Sequence, residues 1–262
     1  MTKIQSIIND IKKHGSKEKA KHLARFFKTG KGQYGEGGLF LGITVPVSRQ
    51  LAKKYSDLKL PEISLLLKNE YHEVRLIALL ILVHQYKSSQ IPGIWESSRT
   101  PGVRERKQEE IVGFYLKNTK YINNWDLVDL SAHYIIGDYF YHIGPSSVQR
   151  TVLCNLVRSK NLWERRIAII STFAFIYKGE SKPTLHIVKM LLNDHEDLIH
   201  KACGWMLREV GKRVREADLT AFLDLYSPQM PRTMLRYAIE RLPEKKRRYY
   251  LHREYNTKHK IC

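Results

Sequence analysis

Glycine and proline are both scarce in this chain, with 15 Gly and 9 Pro among 262 residues. So few turn-forming residues exclude a collagen-like or low-complexity chain and disfavour a turn-rich all-β fold. Cysteine is rarer still: Cys154, Cys203 and Cys262 are far apart, and no two of them form a CxxC pair. We therefore expect neither a disulfide framework nor a zinc ribbon, and the chain suits a reducing, intracellular setting.

Long hydrophobic runs are also missing. The longest, from Leu76 to Val83, has eight residues, whereas a helix needs about 20 to cross a bilayer. The N-terminal isoleucines recur at helical spacing among lysines, which is typical of an amphipathic helix and not of a signal peptide. We expect a soluble, cytoplasmic protein with no membrane partner.

Acidic residues are outnumbered: 26 Asp and Glu stand against 45 Lys and Arg, which gives a net charge of +19. An excess of this size indicates a polyanionic partner, most often nucleic acid. The same charge disfavours a protein-binding scaffold of the importin or armadillo kind, because scaffolds that bind basic cargo are typically acidic.

Apolar residues recur with a period of 3.6 along nearly the whole chain, which predicts an all-α fold with short connections at Pro and Gly. The Gly-rich segment 30–42 lacks a following GK[ST] and is interpreted as a connecting loop. The predicted helices cover about 2–14, 16–28, 46–55, 60–69, 72–87, 104–118, 124–142, 145–158, 161–177, 182–193, 196–213, 217–226, 231–241 and 244–255.

A repeat is visible in the second helix of successive pairs, where a small residue recurs at intervals of 36, 34 and 36 residues. The recurring residues are Ala132, Ala168, Ala202 and Ala238. This period predicts an α-solenoid of HEAT-like antiparallel pairs, curved into a right-handed superhelix with a basic concave face. We expect one domain over 1–262: N-terminal helices 1–57, repeat pairs at about 58–242 and a basic segment 243–262.

Asp129 stands out in the predicted helix 124–142. On a helical wheel it falls inside the apolar stripe, one turn after Trp125, whereas Asp126 and Asp138 fall outside the stripe. A carboxylate inside an apolar stripe has to be paired, hydrogen-bonded or exposed in a cleft, because burying a bare charge is costly. Asp129 is thus a candidate catalytic residue, and the alternative is an internal salt bridge or helix cap.

Trp205 lies off the apolar stripe of its helix, in a row with Lys201, Arg208 and Lys212. Cations that bind phosphates around a ring that packs on sugar or base are typical of nucleic-acid binding. The alternative is a tryptophan covered by the next helix. Arg166 projects from an otherwise buried helix, where a guanidinium could bind a phosphate, or could bond an intramolecular partner such as Asp129.

No HExxH, GxSxG, Walker A or GxGxxG pattern occurs, and the eleven histidines form no metal-ligand pattern. We therefore expect no metal and no cofactor.

Four stretches together resemble the AlkD-type DNA alkylation-repair glycosylases, which are built of HEAT-like repeats. They are FLGITVPVSRQ (40–50), NNWDLVD (123–129), LWERRIAI (162–169) and KACGWMLRE (201–209). Position by position, the resemblance places the family's catalytic Asp on Asp129, its two tryptophans on Trp125 and Trp205, and its phosphate-side Arg on Arg166. One departure is GEGG at 35–38, where relatives with this loop commonly have GEGD.

The resemblance implies a monofunctional DNA glycosylase that releases cationic N3- and N7-alkylated purines from duplex DNA, without a base-flipping pocket. The expected partner is duplex DNA with alkylated bases, bound by a monomer that associates with the nucleoid. Some relatives bind DNA without detectable glycosylase activity, so the alternative is a non-catalytic binder of damaged, distorted or branched DNA. Asp129 beside Trp125 favours the enzyme.

Overall fold

The computed structural model describes residues 2–90, 103–144 and 147–253. Within these ranges the chain is helical and forms no strand beyond an isolated parallel bridge between Leu39 and Tyr71. The prediction of an all-α fold of helix pairs is confirmed. Its right-handed curvature and basic concave face stay predictions.

The chain divides into two compact units, Met1–Ile135 and Ile136–Cys262. The expectation of one continuous domain stays a prediction. The helices of the first unit are α1 (Lys3–Lys13), α2 (Lys17–Phe26), α3 (Val45–Lys54), α4 (Leu60–Leu67), α5 (His72–Ser88), α6 (Val103–Lys117) and α7 (Trp125–Asp129), with a 3-10 turn at Thr119–Tyr121.

Helix α5 is the centre of the first unit. All eight residues of its apolar run, Leu76 to Val83, are buried, and α3 and α4 pack against it while α1 packs on α4. Because the run is enclosed by other helices of a folded unit, it serves as a core. Within the described ranges, no helix combines the length and apolarity that crossing a membrane requires.

Helix α13 has the corresponding place in the second unit, where it packs against α10, α12, α14 and α15. Gly204 permits the contact with α15, since a Cβ there would lie 2.4 Å from the carbonyl oxygen of Met234. The helices of this unit are α8 (Asp138–Ile143), α9 (Ser147–Val157), α10 (Leu162–Ser171), α11 (Phe173–Tyr177), α12 (Lys182–Met190), α13 (Asp197–Arg213), α14 (Glu216–Tyr226), α15 (Arg232–Ala238) and α16 (Glu244–His252), with a 3-10 turn at Ser227–Gln229.

The four recurring alanines are all buried, as a repeat of helix pairs requires. Parts of the predicted organisation lie outside the described residues: 91–102, the first two residues of the helix predicted at 145–158, and the end of the basic segment 243–262 from 254 onward, which includes Cys262.

The prediction of one continuous helix over 124–142 is wrong. Helix α7 ends at Asp129, and a π-helical segment, His133–Gly137, precedes α8. Ser131 lies at the break, where its hydroxyl donates to the carbonyl oxygen of Leu127 at 2.5 Å. A serine that bonds the carbonyl four residues back bends a helix, so the wheel that assumed ideal α geometry does not hold beyond Asp129. The helix predicted at 161–177 is likewise divided, into α10 and α11.

Candidate DNA interface and catalytic residues

Trp125 begins α7, and an aromatic cluster holds its indole. Asn124 caps the helix by accepting from the Trp125 N–H at 2.8 Å. The indole stacks on Phe27 with ring centroids 5.2 Å apart and meets the edge of Phe26 at 5.7 Å. The Trp125 side chain is half-buried, and Phe26 is 57% exposed. The cluster therefore fixes one face of the indole and leaves an aromatic surface open beside it.

Asp129 ends α7, one turn from Trp125. The residue is half-buried, whereas Asp126 is only 6% exposed. The wheel placed these two carboxylates the other way round, with Asp129 in the apolar stripe and Asp126 outside it, so that assignment is wrong. The reason is that α7 has a single turn, too short for a stripe to define its buried face. Asp129 contributes, with burial as the larger cause, to raising the pKa of the Tyr115 phenol.

The buried Asp126 is paired with a histidine that begins α5. His72 Nε2 lies 2.7 Å from Asp126 Oδ2, and the other oxygen of the carboxylate accepts from the Leu127 N–H at 2.9 Å. The His72 ring stacks on Phe40 and packs on Phe27, with centroids 4.8 and 4.9 Å away. The pair thus ties the start of α7 to α5 and to the aromatic cluster under Trp125.

Glu73, the next residue, organises the loop that leads into α3. Its carboxylate accepts from the N–H groups of Leu41, Gly42 and Ile43 at 2.9, 2.7 and 3.1 Å. Gly42 has φ of +81°, and a Cβ there would lie 2.1 Å from the Ser16 carbonyl oxygen. Only glycine fits this position, so the loop has one conformation against the start of α2.

Helix α2 and Lys28 carry exposed cations that were not predicted as DNA contacts from the sequence. In the part of the chain that the structure describes, these cations form no salt bridge. The cations, the α2 surface hereafter, are Lys17, Lys19, Lys21, Arg25 and Lys28. The exposed Phe26 is the last residue of α2. Exposed cations without salt bridges are suited to contacts with phosphates.

In the second unit, Trp205 is half-buried on α13 and packs edge-on against Phe173, with centroids 5.6 Å apart. The Arg213 guanidinium lies 4.9 Å from the ring centroid of Tyr177 and 5.8 Å from that of Phe173. Tyr177 is 55% exposed. Trp205 is therefore part of a second aromatic cluster with a cation over it, and the next helix does not cover it completely.

The cations in the row of Trp205 differ in how far they are compensated. Lys201 pairs with Asp197 at 2.7 Å, and Arg208 pairs with Glu240 and, at 3.4 Å, with Glu209. Lys212 is exposed and forms no salt bridge within the described ranges. The row is consequently less cationic than its composition indicated, because two of its three charges already have acidic partners.

Arg166 on α10 is buried, with 5% of its surface exposed. Its Nη1 donates to the carbonyl oxygen of Leu198 at 2.6 Å, next to the start of α13. The preceding Arg165 forms a fork with Asp194, with Nε and Nη2 at 2.6 and 3.3 Å from the carboxylate oxygens. Arg166 thus has an intramolecular partner that orients its guanidinium.

The family model described as DNA alkylation repair enzyme matches residues 7–242, most of the chain. The chain belongs to this family. A solved structure, described as a predicted DNA alkylation repair enzyme from Enterococcus faecalis, matches with a TM-score of 0.64 and 18% identity, over 88% of this chain and 98% of that one. At that identity the likeness supports the fold alone. No protein with a curated description matches the chain.

Membership of the DNA alkylation repair enzymes supports a role in DNA repair, with DNA as the substrate. In this family member, Trp125 and Asp129 share one turn of α7, while Arg166 and Trp205 lie on α10 and α13, two helices that pack together. Among the described residues, no three His, Cys, Asp or Glu side chains are grouped as metal ligands.

Proposed function

We propose that this DNA alkylation repair family member is a monofunctional glycosylase that hydrolyses the N-glycosidic bond of cationic N3- and N7-alkylated purines in duplex DNA. The observation that carries the proposal is the half-buried residue Asp129 one turn from Trp125, whose indole packs on an aromatic cluster. Asp129 is proposed as the catalytic carboxylate, and Trp125 and Trp205 are proposed as catalytic aromatic residues.

The reaction requires mainly electrostatic stabilisation from the protein. A purine alkylated at N3 or N7 is a cation and already a good leaving group, so no general acid is needed. As the bond breaks, positive charge develops on the sugar, and a fixed carboxylate stabilises that charge and accepts a hydrogen bond from the attacking water. Indole faces add cation–π attraction of about 0.5–2 kcal/mol each. The lesion does not have to enter an enclosed pocket for these contacts to form.

Duplex binding is proposed for both units. In the first, the α2 surface supplies exposed cations that form no salt bridge within the described ranges. In the second, Arg166, Lys201, Arg208 and Lys212 are the proposed phosphate contacts. For Lys201 and Arg208, a phosphate would have to compete with the acidic partners that they already have, so Lys212 is the strongest of the four.

The second candidate is a non-catalytic binder of distorted or branched DNA. It requires the basic surfaces but no catalytic carboxylate, and the pairing of Lys201, Arg208 and Arg166 within the protein bears on both candidates alike. The two candidates share the DNA-binding surface and differ only in the role of Asp129.

The test is release of 7-methylguanine and 3-methyladenine from methylated duplex DNA, with free bases quantified by mass spectrometry. The proposal expects release by the wild type, and by Asp57→Asn, a matched change at an exposed carboxylate in the first unit. Binding without release by the wild type would overturn the glycosylase and leave the binder.

The α2 surface has its own test. Lys17→Glu with Lys21→Glu should weaken duplex binding and reduce the slope of log K against log salt by about 0.9 for each phosphate that the variant no longer neutralises. Lys53→Glu with Lys59→Glu, at exposed positions elsewhere in the first unit, should change that slope less. Equal slopes in the two double variants would remove α2 from the interface.

A further inference from the structure

Arg213 ends α13, and its guanidinium lies on the aromatic cluster that includes Trp205. The guanidinium carbon is 4.9 Å from the ring centroid of Tyr177 and 5.8 Å from that of Phe173. Phe173 in turn meets the edge of Trp205, with centroids 5.6 Å apart. An arginine that packs its flat face on a ring keeps its N–H groups available around the edge. Arg213 is therefore a cation beside Trp205 that can still donate hydrogen bonds.

The protein holds the Arg213 guanidinium by only one of its three nitrogens. The Nε donates at 2.7 Å to Oε2 of Glu209, which lies one turn earlier on α13. The terminal nitrogens Nη1 and Nη2 have no hydrogen-bond partner among the described residues, and the side chain is 36% exposed. Two adjacent terminal nitrogens can bind two oxygens of one phosphate. Arg213 thus combines a fixed position with uncommitted donors.

Glu209 does not neutralise this surface. Its side chain is 7% exposed, and its two oxygens accept from Arg213 and, at 3.4 Å, from Arg208. Burial acts to raise the pKa of the Glu209 carboxyl, but the hydrogen bond from Arg213 and the neighbouring cations lower the pKa overall. Glu240 is a second partner of Arg208. Since Lys212 is exposed and unpaired within the described ranges, the cations outnumber the carboxylates here.

We propose that Arg213 binds a backbone phosphate of duplex DNA beside Trp205, through Nη1 and Nη2. Glu209 and Tyr177 orient the guanidinium before DNA arrives, so less side-chain entropy is lost when the contact forms. Each nucleotide of the duplex supplies an anion of the required kind. This inference rests on the proposed duplex binding and does not require cleavage of the glycosidic bond.

Arg215, two residues later, is a matched control because it has the same charge but none of these features. Its Nε and Nη2 both donate to Asp218 Oδ1. The structure shows no aromatic ring against its guanidinium within the described ranges. Its side chain is 71% exposed, so its removal should not disturb the packing of the second unit.

The test is the affinity of the whole protein for an undamaged duplex, measured by fluorescence anisotropy between 0.05 and about 1 M salt. Arg213→Ala should reduce the slope of log K against log salt by about 0.9, because one phosphate is no longer neutralised. This change corresponds to an affinity about eightfold weaker at 0.1 M salt, a loss that should fade towards 1 M. Arg215→Ala should keep the wild-type slope and lose less than about twofold in affinity.

Arg213→Lys separates an oriented guanidinium from a positive charge alone. Lysine keeps the charge and can still pair with Glu209, but it has one terminal nitrogen and no planar group to lie on Tyr177. The variant should therefore keep the wild-type slope and bind the duplex about threefold more weakly or worse. Melting curves of the three variants identify any that are not folded, and Arg213→Lys decides the matter if Arg213→Ala is unstable.

Equal slopes for Arg213→Ala and Arg215→Ala, or wild-type affinity in Arg213→Lys, would overturn the assignment. Base release by the wild type together with an unchanged slope in Arg213→Ala refutes the phosphate contact alone. A reduced slope in Arg213→Ala, in a protein whose wild type releases no base, supports the contact and refutes the glycosylase alone. Absence of duplex binding by the wild type would overturn both.

Discussion

Replacing Glu73 with alanine removes the acceptor of three backbone N–H groups in the loop before α3. Two of those donors, on Gly42 and Ile43, are buried, and the third, on Leu41, lies in a partly buried contact. The Glu73 side chain is 2% exposed and cannot be replaced by bulk water without opening the loop. The variant should consequently destabilise the first unit.

The magnitude follows from the two buried donors. A hydrogen bond to a charged group contributes about 1.5–3 kcal/mol, and an unsatisfied buried donor costs a similar amount. Two such losses predict that the free energy of unfolding falls by about 4 kcal/mol. At 2–4 °C per kcal/mol for a chain of this size, the Tm should fall by roughly 8–16 °C. Glu73→Gln keeps one acceptor oxygen but turns an N–H₂ group towards donors, so we expect about half that effect.

Differential scanning calorimetry and urea titration of the same preparations measure both quantities. Glu70→Ala, at an exposed position three residues earlier, is the matched control and should change Tm by less than about 2 °C. If Glu73→Ala melted within that margin of the wild type, the loop would not depend on the carboxylate and the reasoning would be refuted.

Burial lowers the pKa of His133 to about 4, so between that pH and about 6.5 only the unfolded state takes up its proton. The unfolding free energy of the wild type should fall by roughly 3 kcal/mol as the pH falls through this window. Urea titrations of His133→Phe should show a weaker dependence of the unfolding free energy on pH, and the same dependence in both proteins would contradict this. Gly204→Ala should destabilise the second unit by about 1–3 kcal/mol, because its Cβ would overlap α15, and an unchanged melting curve would exclude that close contact. Lys201→Glu with Lys212→Glu should weaken binding to damaged and undamaged duplex alike and reduce the salt slope, with most of the loss reproduced by Lys212→Glu alone. An unchanged slope in the double variant would remove this row from the interface.

The helices could be predicted from the sequence because their signals are local. A period of 3.6 and short connecting segments locate most of the helix ends within a few residues, as for α5, predicted at 72–87 and observed at His72–Ser88. The break after Asp129 could not be predicted in the same way. It lies at Ser131, whose hydroxyl donates to the Leu127 carbonyl oxygen in α7 and also lies 2.9 Å from the Tyr115 hydroxyl.

The candidate site could be predicted only in part. The spacing of Trp125 and Asp129 could be predicted because one turn of helix determines it, although the wheel exchanged the burial of Asp129 and Asp126, and the catalytic roles stay predictions. His72 and Glu73 were missed because their partners lie about 30 to 54 residues away in sequence. A signal was present, since two polar residues begin the helix that contains the longest apolar run of the sequence, but it does not identify the partners. The acidic partner of Lys201, Asp197, lies four residues away on the same helix. The partner of Arg208, Glu240, follows α15, so this ion pair depends on how α13 packs against α15.

The most direct test of the glycosylase proposal is single-turnover excision of 7-methylguanine from methylated duplex DNA by wild-type and Asp129→Asn protein. Asparagine keeps the size of the side chain and removes the charge that would stabilise the sugar cation. The account predicts a rate lower by about 10² or more, which corresponds to about 2.7 kcal/mol, with Tm and DNA affinity held or improved. A folded Asp129→Asn protein that excises at near the wild-type rate would contradict it.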